Sequence, residues 1–120
     1  MSQIQEILSE LRVTVAVKGC LVMMHDGIVV AQALESGLDP DMVSGLTSFL
    51  TSTLNRALGE GGMEGFSSFK IHSTHGKVLV IDVGEAYLVI LTNQFGQLEV
   101  DMTEIQDAAH QLRRLSRISL

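Results

Sequence analysis

Apolar residues recur every three or four positions at the start of the chain, at Ile4, Ile7, Leu8 and Leu11. This spacing predicts a short helix, and Ser2 followed by Gln5 resembles a capping box at its beginning. Between Val13 and Met24 the pattern gives way to a stretch rich in Val, Leu and Met. Asp26-Gly27 then signals a hairpin, because a type I′ turn needs positive φ, and Ile28 to Leu34 reads as the returning strand. Asp39-Pro40 opens a second helix: Asp39 can accept from free backbone N–H groups, and the fixed φ of Pro40 suits the first helical position. Met42, Val43, Leu46, Phe49, Leu50, Leu54, Ala57 and Leu58 are expected to form its apolar face. Gly59 is expected to end it, with Gly59 to Gly65 as a flexible turn.

Three strands are predicted next. Phe66 to Ser73 puts Phe69 and Ile71 on one face and Lys70 and His72 on the other, as in an exposed edge strand. Val78 to Val83 and Tyr87 to Thr92 are almost continuously apolar, which suits strands covered on both faces. His75-Gly76 and Gly84-Glu85 mark the turns between them. Asp101 with Glu104 repeats the capping-box pattern. Met102, Ile105, Ala109, Leu112 and Leu115 stripe a last helix whose acids come early and whose arginines (Arg113, Arg114, Arg117) come late, as the helix dipole favours. The order αββαβββα makes an α+β fold around a five-stranded antiparallel sheet.

This order has a geometric consequence. Five strands span ~24 Å at ~4.8 Å spacing, whereas one helix is only ~10–12 Å across. If the first and last helices share one face, the central helix cannot cover the other face alone. Either apolar surface stays wet or a second copy covers it. The central helix carries no charge between Asp41 and Arg56. Its less apolar side, with Ser44, Gly45, Ser48, Thr51, Ser52 and Asn55, lacks the Lys and Glu of a solvated face. Small uncharged residues suit close approach of another helix, and Gly45 costs up to ~1 kcal/mol relative to Ala inside a helix, so a packing reason is expected. These six residues are the expected interface, and Ser48→Glu should disrupt it by placing a charge there in each copy.

Composition sharpens the picture. The 120 residues suit one domain, 1–120. Charged residues make up 18%, below the ~25% of an ordinary domain, which again points to a partner surface. A net charge of −6 argues against nucleic-acid binding. No apolar run approaches the ~18 residues of a membrane helix. The start carries Glu6 and Glu10 without an early positive charge, unlike a signal peptide, so a cytoplasmic protein with no membrane insertion is expected. Cys20 stands alone, which rules out an intramolecular disulfide.

The stretch VKGCLVMMHDGIVVA, from Val17 to Ala31, resembles the first hairpin of Roadblock domains, the family of dynein light chain Roadblock. The runs Val78 to Val83 and Tyr87 to Leu91 resemble it too, as does the order of elements, so the likeness covers nearly the whole chain. It rests on apolar patterns around glycine turns, not on a chemical signature. The resemblance implies a profilin-like sandwich with strand order 2-1-5-4-3. It also implies homodimers formed through the central helix and third strand, here Pro40 to Leu58 and Phe66 to Ser73. Phe69 and Ile71 join the expected interface on this ground. The implied role is a non-catalytic dimer that binds or regulates a small Ras-like GTPase, or an adaptor in larger assemblies. Arg56, the one positive charge on the central helix, could reach such a partner. No catalytic residue carries over from the family.

The remaining chemistry is sparse. Gly59, Gly61, Gly62 and Gly65 fit neither a P-loop nor a dinucleotide fingerprint; they follow a helix, and Glu60 and Glu64 would repel phosphate. GTP binding by this chain itself is not expected. His25, His72 and His75 show no convergence toward a metal, and His110 reads as an ordinary surface residue. Cys20 reads as a small buried hydrophobe, and Asp82 as a capped or edge-exposed carboxylate. No nucleophile, base and orienting group occur together, so neither an enzyme nor a cofactor is expected. Two other roles stay open. One is an assembly scaffold that docks a non-GTPase partner on its first and last helices. The other is a sensor holding a small ligand between sheet and helix.

Overall fold

The structure, a computed structural model, describes residues 3–15 and 17–118, with side chains through residue 115. Its elements are α1 (Gln3–Thr14), β1 (Gly19–Met24), β2 (Val29–Leu34), α2 (Pro40–Glu60), β3 (Ser68–His72), β4 (Gly76–Asp82), β5 (Ala86–Asn93) and α3 (Met102–Ile118). The strands form one sheet in the order β2-β1-β5-β4-β3, and every neighbouring pair is antiparallel. The α+β class expected from the sequence pattern and the strand order implied by the resemblance are thus present. The Ser2 cap and the Arg117 side chain lie outside the described residues.

Local chemistry explains most boundaries. Asp39 adopts an extended conformation and accepts from the Asp41 N–H at 3.0 Å, with Pro40 at the first helical position. The hairpin between β1 and β2 turns at Gly27, whose φ of 99° suits glycine, while Asp26 Oδ1 accepts from the Ile28 N–H. Past that turn Val22 faces Ala31 but Met23 faces Val29, so Val30 is the extra residue of a β-bulge. α2 runs two residues beyond its expected end at Leu58. Gly59 stays helical, and the chain turns at Gly62, with φ of 77°. There the Gly61 and Met63 N–H groups donate to the carbonyls of Ala57 and Leu58, occupying acceptors that the helix end leaves free.

The central strands separate two apolar clusters. On one face Cys20, Val22, Leu79, Ile81, Leu88 and Ile90 pack with Leu8 and Leu11 of α1 and with Ile105, Ala109 and Leu112 of α3. On the other, Leu21, Met23, Val80, Tyr87 and Val89 are joined by Val43 of α2 and by Phe66 and Phe69. One helix therefore serves one face and two helices the other. The alternation of side chains along β1, β4 and β5 makes both faces apolar, which is why those strands read as continuous apolar runs.

Candidate interaction surface

α2 is seated on the sheet by small hydroxyl side chains. Ser44, Thr47 and Thr51 are its buried residues. Each hydroxyl is satisfied within the helix: Ser44 Oγ donates to the Asp41 carbonyl, Thr47 Oγ1 to that of Val43 and Thr51 Oγ1 to that of Ser48. A hydroxyl bonded back to its own helix can be buried without an orphaned polar group, and its small size lets the helix lie close to the strands. Ser48 Oγ is also buried but has no partner among the described residues.

The opposite side of α2 is apolar and uncovered. Met42 is 73% exposed, Leu46 58% and Phe49 67%. Gly45, Ser52, Thr53, Arg56 and Ala57 share this exposed side. The expected orientation of the helix is therefore corrected. Ser44 and Thr51 are buried within the protomer, Ser48 Oγ is buried beside the β1–β2 turn at Gly27, and three large residues expected on the apolar face, Met42, Leu46 and Phe49, are exposed. Asn55 also turns inward: its Oδ1 accepts from the Phe66 N–H at 3.3 Å, and its Nδ2 reaches the Tyr87 hydroxyl at 3.5 Å. Of the expected interface residues on α2, Gly45, Ser52 and Arg56 remain available. A Cβ built on Gly45 would meet nothing within 4 Å, so nothing inside the protomer requires glycine there.

The two margins of the sheet differ. β2 is closed off from α1: Gln5 Nε2 donates to the Gln32 carbonyl at 2.9 Å, and Arg12 donates to the Leu34 carbonyl at 3.1 Å. Gln32 Oε1 accepts from the outward N–H of Leu34. β3 has no such cover. Among the described residues nothing bonds the outward backbone groups of Ser68, Lys70 and His72. Phe69 is half-buried and packs edge-on against Phe66, with ring centroids 4.9 Å apart. Ile71 is 37% exposed. An open edge of this kind is a template for another strand. The outward apolar residues of α2 and the β3 edge are thus the two exposed features at which this face is unfinished.

Elsewhere the side chains serve the fold. Asp82 Oδ1 caps the β4–β5 turn by accepting from the Gly84 N–H at 2.8 Å. The His25 ring packs tilted against Tyr87, with centroids 4.4 Å apart, and its Nε2 lies 3.8 Å from Asp82 Oδ1. Burial pushes the Cys20 thiol up from 9.0 to about 11, and its Sγ donates to the Leu8 carbonyl. Among the described residues no group of His, Cys, Asp and Glu could hold a metal ion, and no helix is long and apolar enough to cross a membrane. Two surface hollows, of about 180 and about 430 Å³, follow the seam between α1 and α3.

The family model described as the Roadblock/LC7 domain matches residues 3–92. The chain belongs to the Roadblock/LC7 family. Among curated relatives, this Roadblock chain is 34% identical over 109 residues to the uncharacterized protein MJ0714 of Methanocaldococcus jannaschii, covering 88% of this chain and 92% of that protein. Its fold is shared with Myxococcus xanthus MglB at a TM-score of 0.90 and 16% identity, over 100% of this chain and 98% of the other. It is also shared with Acanthamoeba castellanii profilin IA at a TM-score of 0.67 and 17% identity, over 93% and 98% of the two chains. The profilin likeness expected for a Roadblock sandwich is therefore present, and the family is one of small regulatory and adaptor domains.

Proposed function

We propose that this Roadblock protein is a non-catalytic homodimeric regulator or adaptor, and that its paired α2 helices build the surface that receives a small Ras-like GTPase. The observation that carries this reading is the outward face of α2, where Met42, Leu46 and Phe49 stand exposed on a helix without a charged residue between Asp41 and Arg56. Large apolar residues grouped on one exposed side mark an interaction site. A second copy offers the same patch, and a twofold axis lets one surface complement itself. The open β3 edge offers a second place at which another copy can pair. In the dimer Gly45, Ser52, Arg56, Phe69 and Ile71 belong to or border the contact. Membership of the Roadblock family supports the GTPase as partner.

The test has two steps. Sedimentation velocity of the full chain should give a dimer at micromolar concentration. A small Ras-like GTPase of the same organism, loaded with GTP or GDP, should then bind the dimer with an affinity that depends on the nucleotide. A monomer at high concentration removes the dimer. A dimer that ignores the GTPase in both nucleotide states leaves an assembly scaffold as the role.

A further inference from the structure

The open edge specifies how a twin strand would join it. The Ser67 carbonyl and the Ser73 N–H bond toward β4. With the register of that pair, Phe69 and Ile71 also bond inward, while Ser68, Lys70 and His72 aim their N–H and C=O groups outward. Antiparallel pairing about a twofold axis then has few solutions. Centred on Lys70, all five residues of β3 find a partner. Moving the centre by one residue leaves two residues of each strand unpaired. Centred on Lys70, Phe69 meets the second copy's Ile71 on the α2 side, where the exposed apolar surface of α2 lies, and Ser68 meets His72.

The obstacle to this register is charge. Lys70 opposite Lys70 places like charges on one face, with Cα atoms ~5.5 Å apart, and such pairs are unfavourable. The fold supplies the remedy. Glu99 Oε1 accepts from Lys70 Nζ at 2.6 Å. The connection between β5 and α3 that carries Glu99 is itself tied down, because Lys77 Nζ donates to the Gly96 carbonyl at 2.6 Å. We propose that, in the β3-paired homodimer that the Roadblock resemblance already implies, Lys70 lies on the twofold axis and Glu99 of each protomer is the charge partner that makes this register self-compatible. This rests on the homodimer proposed above and adds the β5–α3 connection to the determinants of pairing. A strand with Lys at its centre and no acid beside it would be a poor match for its own copy.

Cross-linking reads the register. Lys70→Cys should form a disulfide with itself under mild oxidation, since paired Cα atoms fall within disulfide range. Ser68→Cys and His72→Cys should cross-link only when mixed. The native Cys20 is buried and does not compete. Charge is read separately. Glu99→Gln should raise the dimer dissociation constant about three- to tenfold at low salt and less than twofold at ~1 M salt, where the Debye length is ~3 Å. Lys70→Glu should weaken the dimer similarly, and adding Glu99→Lys should restore it. Self-cross-linking of Phe69→Cys or Ile71→Cys without that of Lys70→Cys overturns the register while leaving the dimer intact. An unchanged dissociation constant for Glu99→Gln at low salt overturns the role of the acid. A monomeric wild-type chain overturns the dimer itself.

Discussion

Phe49→Ala separates a residue that serves the protomer from one that serves a partner. The side chain is 67% exposed. A buried aromatic removes ~200 Å² from water, so about 130 Å² of Phe49 remains to be covered in each protomer. At ~25 cal/mol per Å² its full burial contributes roughly 3 kcal/mol per copy. Alanine retains part of that contact and burial at an interface is incomplete, so we expect a loss of about 3 kcal/mol for the dimer as a whole. That raises the dimer dissociation constant by about two orders of magnitude. The protomer's own stability should change by no more than ~0.5 kcal/mol, because little of the ring is packed inside it.

Sedimentation velocity across a concentration series reads the first quantity. Urea unfolding of the dissociated chain reads the second, at a concentration low enough that association does not contribute. Ser48→Glu is the contrasting substitution. Its Oγ is buried beside the β1–β2 turn at Gly27, so the carboxylate should destabilise the protomer itself instead of merely separating two folded copies. The reasoning is refuted if Phe49→Ala keeps the dimer's mass and dissociation constant. It is equally refuted if that variant loses protomer stability as Ser48→Glu does.

Three further outcomes test the fold beneath the surface. Asn55→Ala removes the acceptor for the Phe66 N–H and the contact with Tyr87, and should cost about 1–2 kcal/mol in urea unfolding. Gly27→Ala forces a side chain onto a φ of 99° with its Cβ 2.7 Å from Ser48 Oγ, and should cost about 1–3 kcal/mol, read as a lowered melting temperature. Cys20 gives a pH signature: its thiol is held up at about 11 in the fold against 9.0, so above pH 9 the unfolded chain loses the proton first. The stabilisation is complete below pH 9 and declines as pH rises toward about 11, by roughly 2–3 kcal/mol, and Cys20→Ala should remove that slope from the unfolding midpoint.

The strands and the two-helix face were legible because each has a single reading. Val78 to Val83 and Tyr87 to Thr92 are apolar on both sides, so they had to be central, and they are β4 and β5. α3 has an apolar stripe against a charged flank, so only one side of it can face the sheet. α2 offers no such contrast. Val43, Leu50, Leu54 and Leu58 are half-buried, while Met42, Leu46 and Phe49 follow at helical spacing on the side away from the sheet. Periodicity distinguishes in from out only when one side prefers water. Here neither side does, and residue type then misleads, because a Ser or Thr that returns its hydroxyl to its own helix behaves as a small apolar residue. Ser44, Thr47 and Thr51 do this and take the inner position. The absence of charge along α2 was the readable signal. It identified a helix with no charged side to turn toward water, whereas the assignment of each side required the position of the strands beneath it.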